Sequence, residues 1–218
     1  MYKGYGKRFL FCVLSLALFG FGNLLGVKAG AAGTNAWNTL SLGLSEKFGL
    51  SFGNATLLIS VVIILVDLLG QGKLGFGTVL NVLLIPWFSD WYLASFHFVP
   101  EVSGVLAGTV CTLLGQVVVS FATILYMKPG LGCGPRDTMM ILIGKRFPKV
   151  PIGAVKLGME LAVLLAGSLM GAPLGVGTVL ILILQAGIFQ MACRVTRYEP
   201  RAVIHESFGD TWHRLTGK

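Results

Sequence analysis

"LGFGTVL" occupies Leu74–Leu80 and "LGVGTVL" occupies Leu174–Leu180. Two nearly identical strings one hundred positions apart mark an internal repeat, which has to be recognised before any fold is assigned. Outward from this pair the same offset carries Gly53 onto Gly153, Leu57 onto Leu157 and Leu65 onto Leu165. Upstream the offset becomes 99, and "GTNAWNTL" (Gly33–Leu40) falls on "GCGPRDTM" (Gly132–Met139). Asn38 then meets Asp137, Thr39 meets Thr138, and Lys47-Phe48 meets Arg146-Phe147. The one-residue slip lies between "KFGLS" and "RFPKVP", which reads as a loop. The chain is a duplicated unit of about a hundred residues.

Composition sets the solvent. Of 218 residues, 55% are hydrophobic and only 12% charged, about half the usual charged share of a soluble chain. Uncharged runs cover Phe9–Val27, Phe48–Val66, Val102–Met127 and Leu161–Cys193. A spanning helix needs roughly 20 apolar residues, so these runs predict a polytopic membrane protein. The 30 glycines suit close helix contact in a membrane better than a soluble bundle. Cys12, Cys111, Cys133 and Cys193 form no C-x-x-C pair and are expected to be free thiols. The basic, apolar N-terminus resembles a signal peptide, but its length and its partner in the repeat favour a spanning helix.

Each unit follows one order: a long apolar helix (9–27, then 104–127), a Gly-rich stretch, and a short amphipathic segment (35–48, then 135–147). A second spanning helix follows (52–70, then 152–170), then a Gly-rich turn and a third, shorter helix (77–93, then 177–193). The expected fold is an all-α membrane protein. Its six transmembrane helices form two inverted three-helix repeats, each with a short amphipathic non-spanning segment. The divisions are a cytoplasmic N-terminus (1–8), a first repeat (9–95), an external loop (96–102), a second repeat (103–193) and a cytoplasmic tail (194–218).

Three spans per unit would turn the second unit over, and charge tests that inversion. With the N-terminus inside, 15 of the 17 Lys and Arg fall on the inner side, leaving Lys28 and Lys47 outside, as the positive-inside rule requires. The net charge of +8 then reflects topology and anionic lipid, not nucleic acid. Inverted repeats of odd span number recur among secondary transporters.

The Gly-x-Gly-Pro-Arg-Asp stretch at Gly132–Asp137, its degenerate copy at Gly33–Leu40 and the paired G-x-G-T-V-L turns resemble the bacterial YczE/YyaS/YitT group of integral membrane proteins. The resemblance covers about residues 8–193 and implies a multi-pass protein of the bacterial cell membrane. Ala36 and Asn38 stand where it leads one to expect Pro and Asp.

Several residues are candidates for a site. Glu160, one to two turns inside the fifth helix, is either a protonatable or cation-binding group in a central cavity or a headgroup-level partner of Lys156. Arg136 and Asp137 follow Pro135 at a predicted helix start. They either accept an anion there or are explained by the helix dipole and by lipid headgroups around an exposed cytoplasmic loop. Asn38 is the external counterpart of Asp137, and Trp37 is expected at the interface. Gly75, Gly77, Gly175 and Gly177 either open broken helices whose N–H groups line a site or make tight turns and close contacts. Asn81, Gln185 and Gln190 are interhelical bonds or substrate ligands. Asp67 is expected to reach water. Ile204, Phe208, Trp212 and Leu215 recur at helical spacing and predict an amphipathic tail helix on the inner leaflet or against a protein partner (200–216).

The expected function is a transporter, permease or substrate-binding transport component for a small solute or ion. The alternative is a membrane scaffold that binds lipid or protein and moves nothing. His97, His205 and His213 are not in metal-ligand spacing and no nucleophile motif stands out. No enzyme, metal or cofactor is expected, and membrane lipids are the expected partners.

Overall fold

The computed structural model describes residues 4–72, 74–96, 102–198 and 206–210. Among these there is no strand. The helices are α1 (Tyr5–Lys28), α2 (Ala36–Phe48), α3 (Phe52–Leu69), α4 (Phe76–Ser95), α5 (Val105–Met127), α6 (Pro135–Arg146), α7 (Ile152–Leu169) and α8 (Val176–Thr196). Four stretches are long and apolar enough to cross a membrane: Gly6–Lys28, Phe52–Leu69, Val105–Met127 and Val176–Thr196. The third helix of each unit is not short: α4 and α8 hold 20 and 21 residues against 18 for α3 and α7. Neither Pro86 in α4 nor Gly187 in α8 ends its helix.

Local chemistry places the helix ends. Asn35 caps α2 by accepting from the Asn38 N–H at 3.0 Å, and Ser51 caps α3 in the same way from Asn54. Pro135 opens α6 at its first turn, where a missing N–H costs nothing.

Polarity is arranged inside out relative to a soluble protein. Leu65, Leu106, Leu165 and Ile183 are more than half exposed, while Asn23, Asn38, Ser60 and Glu160 are buried. The apolar exterior is what a lipid-facing surface requires.

Helix α1 packs along α5 and on α4; α5 packs on α8. Helix α2 packs on α7 and α3; α6 packs on α3 and α7. At the crossing of α1 and α5 a Cβ on Gly22 would meet Val119 Cγ2 at 2.7 Å, and one on Gly115 would meet the Gly22 carbonyl at 2.8 Å. Backbone touches backbone there, as in small-residue packing between membrane helices. Gly115→Leu is therefore expected to lower stability by about 2 kcal/mol or more. The measurement is thermal unfolding in detergent, and an unchanged melting temperature would show that the crossing can open freely.

The repeated heptapeptide has a shared structural role. The loop of each unit seats on the G-x-G-T turn of the other. The Gly77 N–H donates to the Leu131 carbonyl and Thr78 Oγ1 to the Cys133 carbonyl, both at 2.7 Å. In the mirrored place a Cβ on Gly175 would land on the Ala32 carbonyl, and one on Gly177 would meet that oxygen at 2.8 Å. The loop glycines opposite, Gly33 and Gly132, have φ of 77° and 132°, a region that side chains rarely adopt.

The described part of the tail lies on protein. Arg8 donates to Glu206 at 2.8 Å and to the Pro129 carbonyl, Glu206 N–H donates to Gly130 O, and Phe208 N–H to Leu74 O. Phe208 stacks edge-on against Phe76. Glu206 is thus buried, not on the polar face of a surface helix. Ile204, Trp212 and Leu215 lie outside the described residues, as do the three histidines.

Candidate functional site

Helices α2 and α6 meet start to start. The guanidinium of Arg136, in the first turn of α6, lies over the Trp37 ring of α2 at 4.5 Å. Arg136 is therefore not in an exposed loop and Trp37 is not solely a headgroup anchor. These are equivalent positions of the two units, brought face to face. Both helix starts present the positive end of a helix dipole.

They open on a cavity of about 490 Å³. Its wall includes Trp37, Asn38, Asn81, Arg136, Asp137, Glu160 and Gln185, so seven of the candidate residues are brought together. Gln185 Nε2 donates to Glu160 Oε2. Asp137 accepts from Tyr126 Oη at 3.4 Å. The Asn38 side chain is partly used, donating to Thr34 at 3.4 Å. Gly75, Gly77, Gly175 and Gly177 do not line this cavity; they hold the loops that bear it. Gln190 is exposed.

Sequence reasoning passed over other parts of the wall. Asn23 on α1 and Gln116 on α5 face the cavity, and each has a buried amide oxygen without a hydrogen-bond partner. Asn23 donates its NH₂ to Ser89 at 3.1 Å, so its oxygen is left over. An orphaned acceptor in a low-dielectric interior costs about 1–3 kcal/mol, which a bound donor would relieve. A polar amide inside an apolar run was the available signal.

The cavity charges come from one unit. Arg136, Asp137, Lys156 and Glu160 belong to the second; the first contributes neutral groups, among them Asn35, Asn38, Thr56 and Ser60. Two cations and two carboxylates make a balanced wall. Tyr198, just past α8, is pushed up to about 12 by burial and remains an O–H donor.

Asp67 on α3 lies beside the cavity wall, not in water. It is fully buried, and neither carboxylate oxygen has a hydrogen-bond partner. Its counterpart is Gly167, which packs on the backbone of Thr39 and Leu40. An orphaned acid contributes no favourable bond. Asp67→Asn is accordingly expected to melt at or above the wild-type temperature. A fall of more than about 3 °C, or roughly 1 kcal/mol at this size, would reveal a partner for the carboxyl.

A family described as "Family of unknown function (DUF6198)" matches residues 6–194. The uncharacterized membrane protein YczE of Bacillus subtilis (strain 168) is 32% identical over 187 residues, 85% of this chain and 85% of its own length. An uncharacterized protein of Haemophilus influenzae is 32% identical over 174 residues, 80% of this chain and 78% of its own. The uncharacterized protein YyaS of Bacillus subtilis is 23% identical over 177 residues, 79% of this chain and 86% of its own. No solved structure matches.

Proposed function

This chain belongs to the DUF6198 family and is a membrane protein, and we propose that it is a transporter, or the substrate-binding component of one, for a small solute that carries charge. The observation that carries this is the cavity itself, where two helix starts and four charged side chains converge. Reorienting such a solute costs little when it exchanges water for groups already in place.

In this reading α1, α3, α4, α5, α7 and α8 span the membrane, and the second unit is inserted upside down. Support comes from the packing, most of which maps onto itself when the units are exchanged, the pair α3–α4 excepted. The pair α1–α4 corresponds to α5–α8, and α2–α7 to α6–α3. Helices α2 and α6, at ~20 and ~18 Å, are half-spans entering from opposite sides. End to end they cover about the thickness of a bilayer. Half-helix starts at the midplane of an inverted repeat are a recurring binding site in transporters. Both termini are cytoplasmic in this topology, by the distribution of Lys and Arg. The site binds and passes a solute; it performs no covalent chemistry.

The test is a thermal-stability screen of purified protein against pools of metabolites, ions and short-chain lipids. A ligand at a hundredfold its Kd adds about 2.7 kcal/mol, a shift that is easily read. At least one pool is expected to raise the melting temperature, and Arg136→Gln is expected to abolish that rise. Flat curves throughout would replace this reading with that of a scaffold.

A further inference from the structure

The two units differ in how they close. In the first, α3 and α4 are zipped together. Ser51 and the Gly53 N–H both donate to Asp90, and a Cβ on Gly53 would land on the Pro86 carbonyl. In the second, α7 and α8 barely touch. A Cβ on Gly153, the counterpart of Gly53, would meet nothing within 4 Å.

The sequence explains the gap. Where the first unit has Thr56, Ser60, Ile85 and Ser89, the second has Lys156, Glu160, Gln185 and Phe189. These longer side chains reach across from α7 to α8: Glu160 takes the Gln185 hydrogen bond, and Lys156 Nζ sits 5.9 Å from the Phe189 ring. They act as props, holding the helices apart at their tips. All four props also line the polar cavity. Lys156 is exposed while Glu160 is buried, so the charged wall runs out to the surface through the cleft. Beside it the flanks are bare hydrocarbon, with Leu161 and Leu184 each more than 40% exposed.

The geometry points to a lateral portal between α7 and α8 through which the cavity takes an amphiphile from the bilayer. This rests on the reading of the cavity as a binding site and names its substrate class. The amphiphile is a lipid whose head bears both an anionic and a cationic group. Arg136 and Lys156 meet the anion, and Asp137 and Glu160 meet the cation. The charge-balanced wall disfavours a head of single sign, and the acyl chain lies in the apolar cleft. A water-soluble solute would have no use for an opening onto hydrocarbon.

The experiment compares dihexanoyl phosphatidylethanolamine with glycerophosphoethanolamine, its water-soluble head fragment, by thermal shift in detergent. Native mass spectrometry of the extracted protein runs alongside. The lipid is expected to raise the melting temperature by about 5 °C, the fragment to leave it unchanged, and the extracted protein to retain phospholipid. Replacing all four props with their first-unit counterparts (K156T, E160S, Q185I, F189S) is expected to abolish both signals. Gly153→Leu, on the same face of α7 as Lys156 and Glu160 and with nothing within 4 Å of its Cβ, should fill the cleft and do the same if the first variant does not fold. Equal shifts by lipid and fragment would overturn the portal and leave the cavity as a solute site. So would binding of a polar metabolite with no response to lipid. A dimer lacking retained lipid would assign the cleft to a second copy of the chain. Silence toward both probes and toward the metabolite screen would remove portal and binding site together.

Discussion

Gly175→Ala is expected to yield no folded protein. The added Cβ would fall on the backbone of Ala31 and Ala32, where the loop of the first unit seats on the start of α8. Backbone cannot swing aside as a side-chain tip can, so relief requires separating the loop from the turn. We expect a loss of at least about 3 kcal/mol, at the upper end for overpacking. The measurement is monodispersity and melting of the detergent-extracted protein. Gly187→Ala is the control, because nothing lies within 4 Å of its Cβ and alanine favours a helix by up to about 1 kcal/mol over glycine. If both substitutions behave alike, the interlock of loop and turn is not what holds the units together.

Glu160→Gln separates structure from binding. Glutamine keeps the volume and can still accept from Gln185, so the melting temperature is expected to stay within about 2 °C of wild type, or roughly 0.5–1 kcal/mol. What it loses is charge. A hydrogen bond to a charged group is worth about 1.5–3 kcal/mol, so affinity for the ligand that stabilises the wild type should fall roughly 10–100-fold. Equilibrium binding to the two proteins decides the matter. Unchanged affinity would reduce Glu160 to a prop for α8.

Much of this was legible in the sequence, and the rest was hidden for physical reasons. Uncharged runs located the four candidate spans, and Pro135 and the paired G-x-G-T turns located the starts of α6, α4 and α8. Glu160 and Gln185 were singled out separately, as polar groups where polarity is costly, and the structure joins them. The meeting of Trp37 with Arg136 was not legible, because charge counting assigns them to opposite faces of the membrane. The structure instead brings the starts of α2 and α6 together. Asp67 was misplaced because its nearness to a helix end suggested water, while burial depends on α6 packing across it. The cleft between α7 and α8 was present only as a contrast, Thr56 and Ser60 against Lys156 and Glu160. A single unit read alone could not have revealed it.

The interlocked loops also impose an order on biosynthesis. When Leu74–Leu80 leaves the ribosome, the residues that complete its turn, Leu131–Cys133, have not yet been made. The first unit must then wait in the bilayer with that seat empty, and its own loop at Ala31–Gly33 waits longer still for Gly175. Long-range closure of this kind is slow and leaves intermediates exposed. A chain truncated between the units is thus a natural substrate for membrane quality control, and co-expressing the halves should rescue what neither achieves alone.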